Sequence, residues 1–295
     1  MTRDQVTLSD LRREIDDIDD ALHDLLMRRA MVGEQVKEVK RGAAGGTFRP
    51  GREAEILRRL AARHTGALPR EAIFQIWREM ISAFVVLQGP FAVSVWDEGD
   101  INTSCWDLAR DHFGGVVPMA RQQSTRAVLR DVAEGAATVG VLPLPQEGET
   151  GSWWPALSGG TRGRVHICAR LPFALGASGW RERPGALVVS RSEPEPSGDD
   201  RSYVLIECDE SSSRGRLVDG LTAAGVTPSF FAGGPNLDTR PGQPLYLVEL
   251  AGFIEPDDAR LTFFVDNAPG VRSAYVVGAY AVPFEASTAP AGEEQ

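Results

Sequence analysis

Apolar residues recur every three or four positions near the start of the chain: Leu11, Ile15, Ile18, Leu22, Leu25, Val32, Val36 and Val39. That period lays them along one stripe of a helix. Thr7 and Asp10 stand ahead of the run in a capping-box pattern. One member of the stripe is missing, because position 29 is an arginine. From Leu8 to Lys40 such a helix is about 50 Å long at about 1.5 Å per residue. A small domain cannot cover that length, so the seam calls for a second chain alongside it. The helical texture lasts to residue 88, where Gly89-Pro90 ends it.

From Phe91 the pattern shortens into β-rich runs, FAVSVW, GVVPMA, ATVGVLPL, VHICARLPF and ALVVS, interleaved with a helical STRAVLRDVAEGA. A polar Pro/Gly/Ser stretch, SEPEPSGDD, follows at 192–200 and reads as a linker. Beyond it come a strand at 202–208, a helix at 212–224, strands at 227–232 and 244–252, a helix at 256–267 and a strand at 272–282. This is the βαββαβ order of ferredoxin-like folds. The expected organisation is multidomain: an all-α unit at 1–90, an α/β region at 91–198, a ferredoxin-like α+β unit at 199–285 and a disordered tail at 286–295. GAAGGT at 42–47 has no strand before it and reads as an inter-helix loop, not a phosphate cradle.

The chain has 295 residues, 42% of them hydrophobic and 24% charged, with a formal net charge of −10. This balance argues against nucleic acid or an anionic membrane as a bulk partner. No run is long and apolar enough to span a bilayer and no secretory pattern opens the chain, so a cytoplasmic protein is expected. Cys105, Cys168 and Cys208 lack ligand or disulfide spacing and read as buried thiols. His23, His64, His112 and His166 are scattered, so no metal is expected. Trp153, Trp154 and Trp180 read as packing residues.

Three cations disturb the first helix. Arg29 interrupts the stripe, Lys40 lies about three turns further on nearly the same face, and Arg12 sits four heptads before Lys40 on the flank of the seam. A buried cation without an anion is costly. The anion is either an acid of the chain, such as Asp19 or Glu53, or a bound ligand with two carboxylates.

LRREIDDIDDALHDLLMRRAMVGEQVKEVK, FRPGREAEILRRL and IWREMISAFVVLQ resemble the three helices of the all-helical class of chorismate mutase, over residues 8–88. That resemblance implies an interlocked homodimer whose shared active sites bind chorismate and convert it to prephenate without a cofactor. It implies substrate contacts from Arg12, donated across the dimer, and from Arg29, Lys40, Arg52, Glu53 and Gln88. Arg12 and Arg29 would fork onto the two carboxylates. Lys40 and Gln88 would donate to the ether oxygen, and Glu53 would accept from the ring hydroxyl. Phe84 stands where the family often has a small hydroxyl residue, and Arg49 where some members have an acid.

Residues 91–282 resemble, more weakly, a prephenate dehydratase module followed by an ACT regulatory domain. VLRDVAEGAATVGVLPLPQEGETG carries that likeness. Yet the positions of the family's Thr-Arg-Phe signature hold Pro184, Gly185 and Ala186, and the glycine-rich opening and second lobe are missing. The expected function is therefore a chorismate mutase of aromatic amino acid biosynthesis with a dehydratase region that has lost its chemistry. The alternatives are a bifunctional mutase–dehydratase and a non-catalytic regulator of an aromatic-pathway enzyme. An aromatic amino acid effector at the ACT-like unit is a further expectation, on poor copies of the family's binding signatures.

Overall fold

The computed structural model describes residues 6–39, 48–99, 105–147, 152–158, 165–175, 185–210, 212–235 and 244–285. Lys40, the 42–47 loop, Trp180, Pro184 and the 286–295 tail lie outside them. The first helix, α1 (Leu8–Val39), begins at the anticipated capping box. The Thr7 amide donates to the Asp10 carboxylate and the Asp10 amide to the Thr7 hydroxyl. Helices α2 (Pro50–Arg63) and α3 (Arg70–Gln88) complete the helical unit. Proline opens α2, where its missing N–H costs nothing.

The rest of the chain forms β1 (Val93–Trp96), α4 (Cys105–Phe113), β2 (Met119–Gln122), α5 (Thr125–Glu134), β3 (Val139–Pro143), a single 3₁₀ turn at Trp154–Leu157, β4 (His166–Leu171), β5 (Ala174–Leu175) and β6 (Ala186–Ser190). It continues as β7 (Asp200–Cys208), α6 (Arg214–Ala223), β8 (Pro228–Pro235), β9 (Pro244–Ala251), α7 (Ala259–Asn267), β10 (Val271–Ala281) and β11 (Phe284–Glu285). Nine strands join in one sheet, β2-β1-β3-β6-β4-β10-β7-β9-β8, while β5 and β11 pair separately. Alternation along the central strands divides the core. Val139, Val141 and Val188 point to the face covered by α3 and α4. Leu142, Leu187 and Val189 point to the other, against α5 and Trp153–Trp154. Helices α6 and α7 cover β7, β8 and β9. The three cysteines are buried free thiols. No described helix is long and apolar enough to cross a membrane.

The helical unit is not uniformly attached. Phe74, Arg78, Ile81 and Val85 form one buried stripe of α3 against the α/β body, and α2 buries Glu53, Ala54 and Leu57. The 192–200 stretch, expected as a polar linker, is a strap on α2. Arg49 forks onto Glu195 at 2.9 and 2.6 Å, and Arg58 donates to the carbonyls of Ser197, Asp199 and Val282. Arg49, standing where some members of the resembled family have an acid, thus fixes α2 to the strap. By contrast α1 buries none of its residues.

The sheet is continuous because β10 runs parallel to β4, with Gly278 opposite Ile167. Gly278 has φ +151°, and a Cβ there would overlap the Ile167 backbone. Only glycine permits both the conformation and the approach. Gly278→Ala is expected to cost about 2 kcal/mol or more of stability, read as a lowered denaturation midpoint.

Candidate active site

Arg29 is the half-buried cation that the stripe of α1 led one to expect. Arg29, Ala30 and Gly33 are the residues of α1 that are not fully exposed. They mark where α1 crosses α3. The Arg29 guanidinium lies 4.4 Å from the centre of the Phe84 ring, a cation–π contact. About two turns further along α1 and one along α3, Lys37 Nζ donates to the Leu87 carbonyl at 3.2 Å. Burial pushes the Arg29 guanidinium down from its usual value. Among the described residues no carboxylate pairs with it. Gln88 ends α3, half-buried and one turn beyond Phe84, so it shares the side of α3 that meets α1.

The other expected site residues are dispersed. Arg12 is exposed on α1, about 25 Å from Arg29 along the axis at about 1.5 Å per residue. One chain cannot bring both arginines to one small ligand. Arg52 is exposed on α2 and pairs with Glu55 at 2.6 Å. Lys40 lies outside the described residues. Glu53, expected at the substrate hydroxyl, points the other way, into the junction with the body. Its carboxylate accepts from Arg78 Nη1 at 2.8 Å, and His112 Nε2 lies 3.5 Å from the same nitrogen. Arg78 and Phe84 are about 9 Å apart along α3 at about 1.5 Å per residue, so this cluster is distinct from the Arg29 contact.

Burial sets the electrostatics of the cluster. Desolvation pushes Glu53 up and Arg78 down, and their mutual attraction opposes both shifts. The fully buried His112 is pushed well below the ordinary imidazole value, first by desolvation and then by the Arg78 charge. Sequence reasoning passed over Arg78 and read His112 only as one of four scattered histidines without metal spacing. The available signal for Arg78 was an arginine on the apolar stripe of α3, the same anomaly that drew attention to Arg29. Among the described residues no three His, Cys, Asp or Glu side chains gather as a metal site.

The helices, their junction and the cations therefore stand as a unit, and residues 11–89 match the family described as chorismate mutase type II. Residues 11–89 are a chorismate mutase type II domain. The chain is also similar to bifunctional chorismate mutase/prephenate dehydratases. The protein of that name from Pseudomonas aeruginosa is 32% identical over 151 residues, 50% of this chain and 41% of the relative. The one from Aquifex aeolicus is 31% identical over 141 residues, 46% of this chain and 38% of the relative. These spans exceed the mutase domain, so the likeness runs on into the α/β region. The chain spans about two-fifths of the length of these curated relatives. A solved prephenate dehydratase from Arthrobacter aurescens, in complex with L-Phe, aligns over 64% of this chain and 90% of its own at 13% identity. Its TM-score of 0.47 is too low to establish a shared fold.

His112 makes the junction of the mutase domain sensitive to acid. Its folded value is depressed, so below about pH 6.5 the unfolded chain binds a proton that the folded chain refuses. Stability is therefore lost as pH falls, at up to about 1.4 kcal/mol per pH unit. Glu53, whose folded value is raised, acts in the opposite sense. Comparison with His112→Gln isolates the histidine. In urea unfolding, the wild type should lose up to about 2 kcal/mol more than the variant between pH 7 and 5.

Proposed function

We propose that this chain is a chorismate mutase built on the bifunctional mutase–dehydratase plan, working as a homodimer. The observation that carries the reading is Arg29: a half-buried cation with no carboxylate among the described residues, at the one crossing of α1 and α3. On either side of it the apolar stripe of α1 is open, with Leu22 and Leu25 at 53 and 60% exposure before it and Val32 at 51% after it. So large an apolar seam marks an association surface. A second α1 laid along it would cover the seam and bring the Arg12 of the partner subunit towards Arg29.

The rearrangement of chorismate to prephenate is unimolecular and needs no nucleophile. The work of the site is to hold the compact conformer and to donate where the ether oxygen gains charge. Arg29, oriented by Phe84, takes one carboxylate and Arg12 of the partner subunit the other. Lys40 and Gln88 donate to the ether oxygen. Phe84 gives no hydroxyl for a carboxylate and instead holds the guanidinium. Glu53 reaches a substrate hydroxyl only by leaving Arg78, and Arg52 by leaving Glu55, so both are secondary members of the site.

The mutase–dehydratase relatives, matched beyond the mutase domain, favour a second, dehydratase activity over an inert tail. Ala186 opens β6 in register with Pro143 and Leu171, and neither it nor Gly185 offers a hydroxyl or a cation. A dehydratase step in this chain would have to run on residues other than those of the Thr-Arg-Phe signature. The β-α-β-β-α-β order from β7 to β10 supports reading 199–285 as ACT-like, with an aromatic amino acid as its expected effector.

Chorismate should disappear with the purified chain present, and phenylpyruvate should form above the acid-catalysed background. Accumulation of prephenate alone would return the dehydratase region to an inert remnant. Arg12→Ala and Arg29→Ala should each be nearly inactive, while mixing them should restore part of the activity through heterodimers with one intact site. No recovery after verified subunit exchange would mean that each site is built within one chain. Gln88 donates at any pH, whereas glutamate donates only when protonated, near about pH 4.3 if unperturbed. Gln88→Glu should therefore lose on the order of 10²-fold in rate at pH 8 and recover much of it near pH 5.

A further inference from the structure

A hollow of about 380 Å³ lies between the strap, the start of β7 and the ends of β9 and β10. That volume falls within the range of small-molecule sites, about 300–1,000 Å³. Pro196, Phe253 and Val282 give it apolar surface. Arg58 braces it from α2 by donating to the carbonyls of Asp199 and Val282 at 2.8 and 3.0 Å. Three charged residues line the hollow: Asp199, Asp200 and Arg201. Asp200 is sealed, since its carboxylate accepts from the Ser197 amide and hydroxyl and from the Gly198 amide.

Arg201 is held from behind. Its Nη1 lies 3.7 Å from Glu249, a buried carboxylate on β9 that accepts from the hydroxyls of Tyr280 and Ser229. Arg170 stands 3.8 Å from the other oxygen of the same carboxylate. Two guanidiniums thus serve one carboxylate that hydroxyl donors also engage, which leaves one positive charge in excess. Arg201, its side chain 34% exposed, carries that charge to the wall of the hollow. A guanidinium positioned by a buried partner and still partly open is prepared for an incoming carboxylate. Asp199 is exposed on the same wall, and among the described residues no hydrogen bond or ion pair engages its carboxylate. An acid so close repels a dianion and favours a ligand that also carries an ammonium.

We propose that this hollow binds an α-amino acid with a large apolar side chain. Its carboxylate lies on Arg201, its ammonium on Asp199 and its side chain along Phe253 and Val282. The proposal deepens the reading of an aromatic amino acid effector at the 199–285 unit and rests on it for the role of the ligand. The seat itself follows from Arg201, Asp199 and the Glu249 cluster.

Titration calorimetry of the full chain tests it, with L-phenylalanine as the probe. Binding should be saturable, one molecule per chain, with a Kd of about 1 mM or below. 3-Phenylpropionate lacks the ammonium and phenethylamine the carboxylate, so each should bind at least about tenfold more weakly. Ala251→Trp, at an exposed position on the wall, should fill the hollow and abolish binding. Arg201→Gln should weaken it at least about tenfold, while Glu249 keeps Tyr280, Ser229 and Arg170. Asp199→Asn should weaken L-phenylalanine but not 3-phenylpropionate, so that the gap between the two closes. Ala251→Trp and Asp199→Asn change exposed positions, so they decide the matter even where Arg201→Gln does not fold. Absence of L-phenylalanine binding overturns the seat and counts against the effector reading with it. Binding that survives Ala251→Trp and Asp199→Asn unchanged overturns the seat alone, since the ligand would then sit elsewhere in the chain.

Discussion

The Glu53–Arg78 ion pair sits where α2, α3 and the α/β body meet, and the attachment of the helical unit depends on it. Both side chains are about nine-tenths buried, and His112 closes the cluster from α4. Charges so placed contribute little net stability, because desolvation offsets their attraction. Removing one partner is another matter, since the charge left behind costs about 3–5 kcal/mol. The pair therefore penalises any docking of α2 and α3 that leaves one of these two charges unopposed. The Arg49–Glu195 fork and the Arg58 contacts to the strap hold the same face of α2 from its other side.

That docking divides the mutase domain against itself. One stripe of α3 belongs to the body, and the opposite side meets α1 through Phe84 and Leu87. α1 lies outside the packed mass, buries none of its residues, and displays an apolar seam. In the proposed homodimer such a helix would be stable as half of an assembly, because helical stability in proteins comes mostly from packing an amphipathic face. The Arg29–Phe84 contact is then the point where the body's geometry reaches the proposed substrate site, about 9 Å along α3 from the buried pair at about 1.5 Å per residue.

The nine-stranded sheet extends the same connection to the far end of the chain. The β7–β10 unit, which reads in sequence as a separate domain, joins the preceding strands by a parallel pairing at Gly278. Strands that share one sheet move together more readily than domains on a flexible tether. A ligand bound in the β7–β10 unit and a substrate at α1 would thus act on one connected scaffold of sheet, α2 and α3.

Much of this was legible in the chain alone. The period of α1, its Thr7–Asp10 cap, the stop at Gly89 and the order of elements from β7 to β10 follow from local patterns of apolar spacing and turn chemistry, which a single segment carries within itself. Arg29 was visible because a cation in an apolar stripe breaks a local rule. What the tertiary structure decided was which way the charged residues face. The resemblance to the mutase family makes Glu53 a site residue, yet it turns to Arg78, because the nearest cation on its buried side comes from another helix and a carboxylate leaving water needs that partner more than it needs an open cleft. The strap at 192–200 and the pairing of Gly278 with Ile167 likewise exist only between segments distant in sequence. No pattern within one segment could carry them, since each depends on what the folded chain brings to the other side.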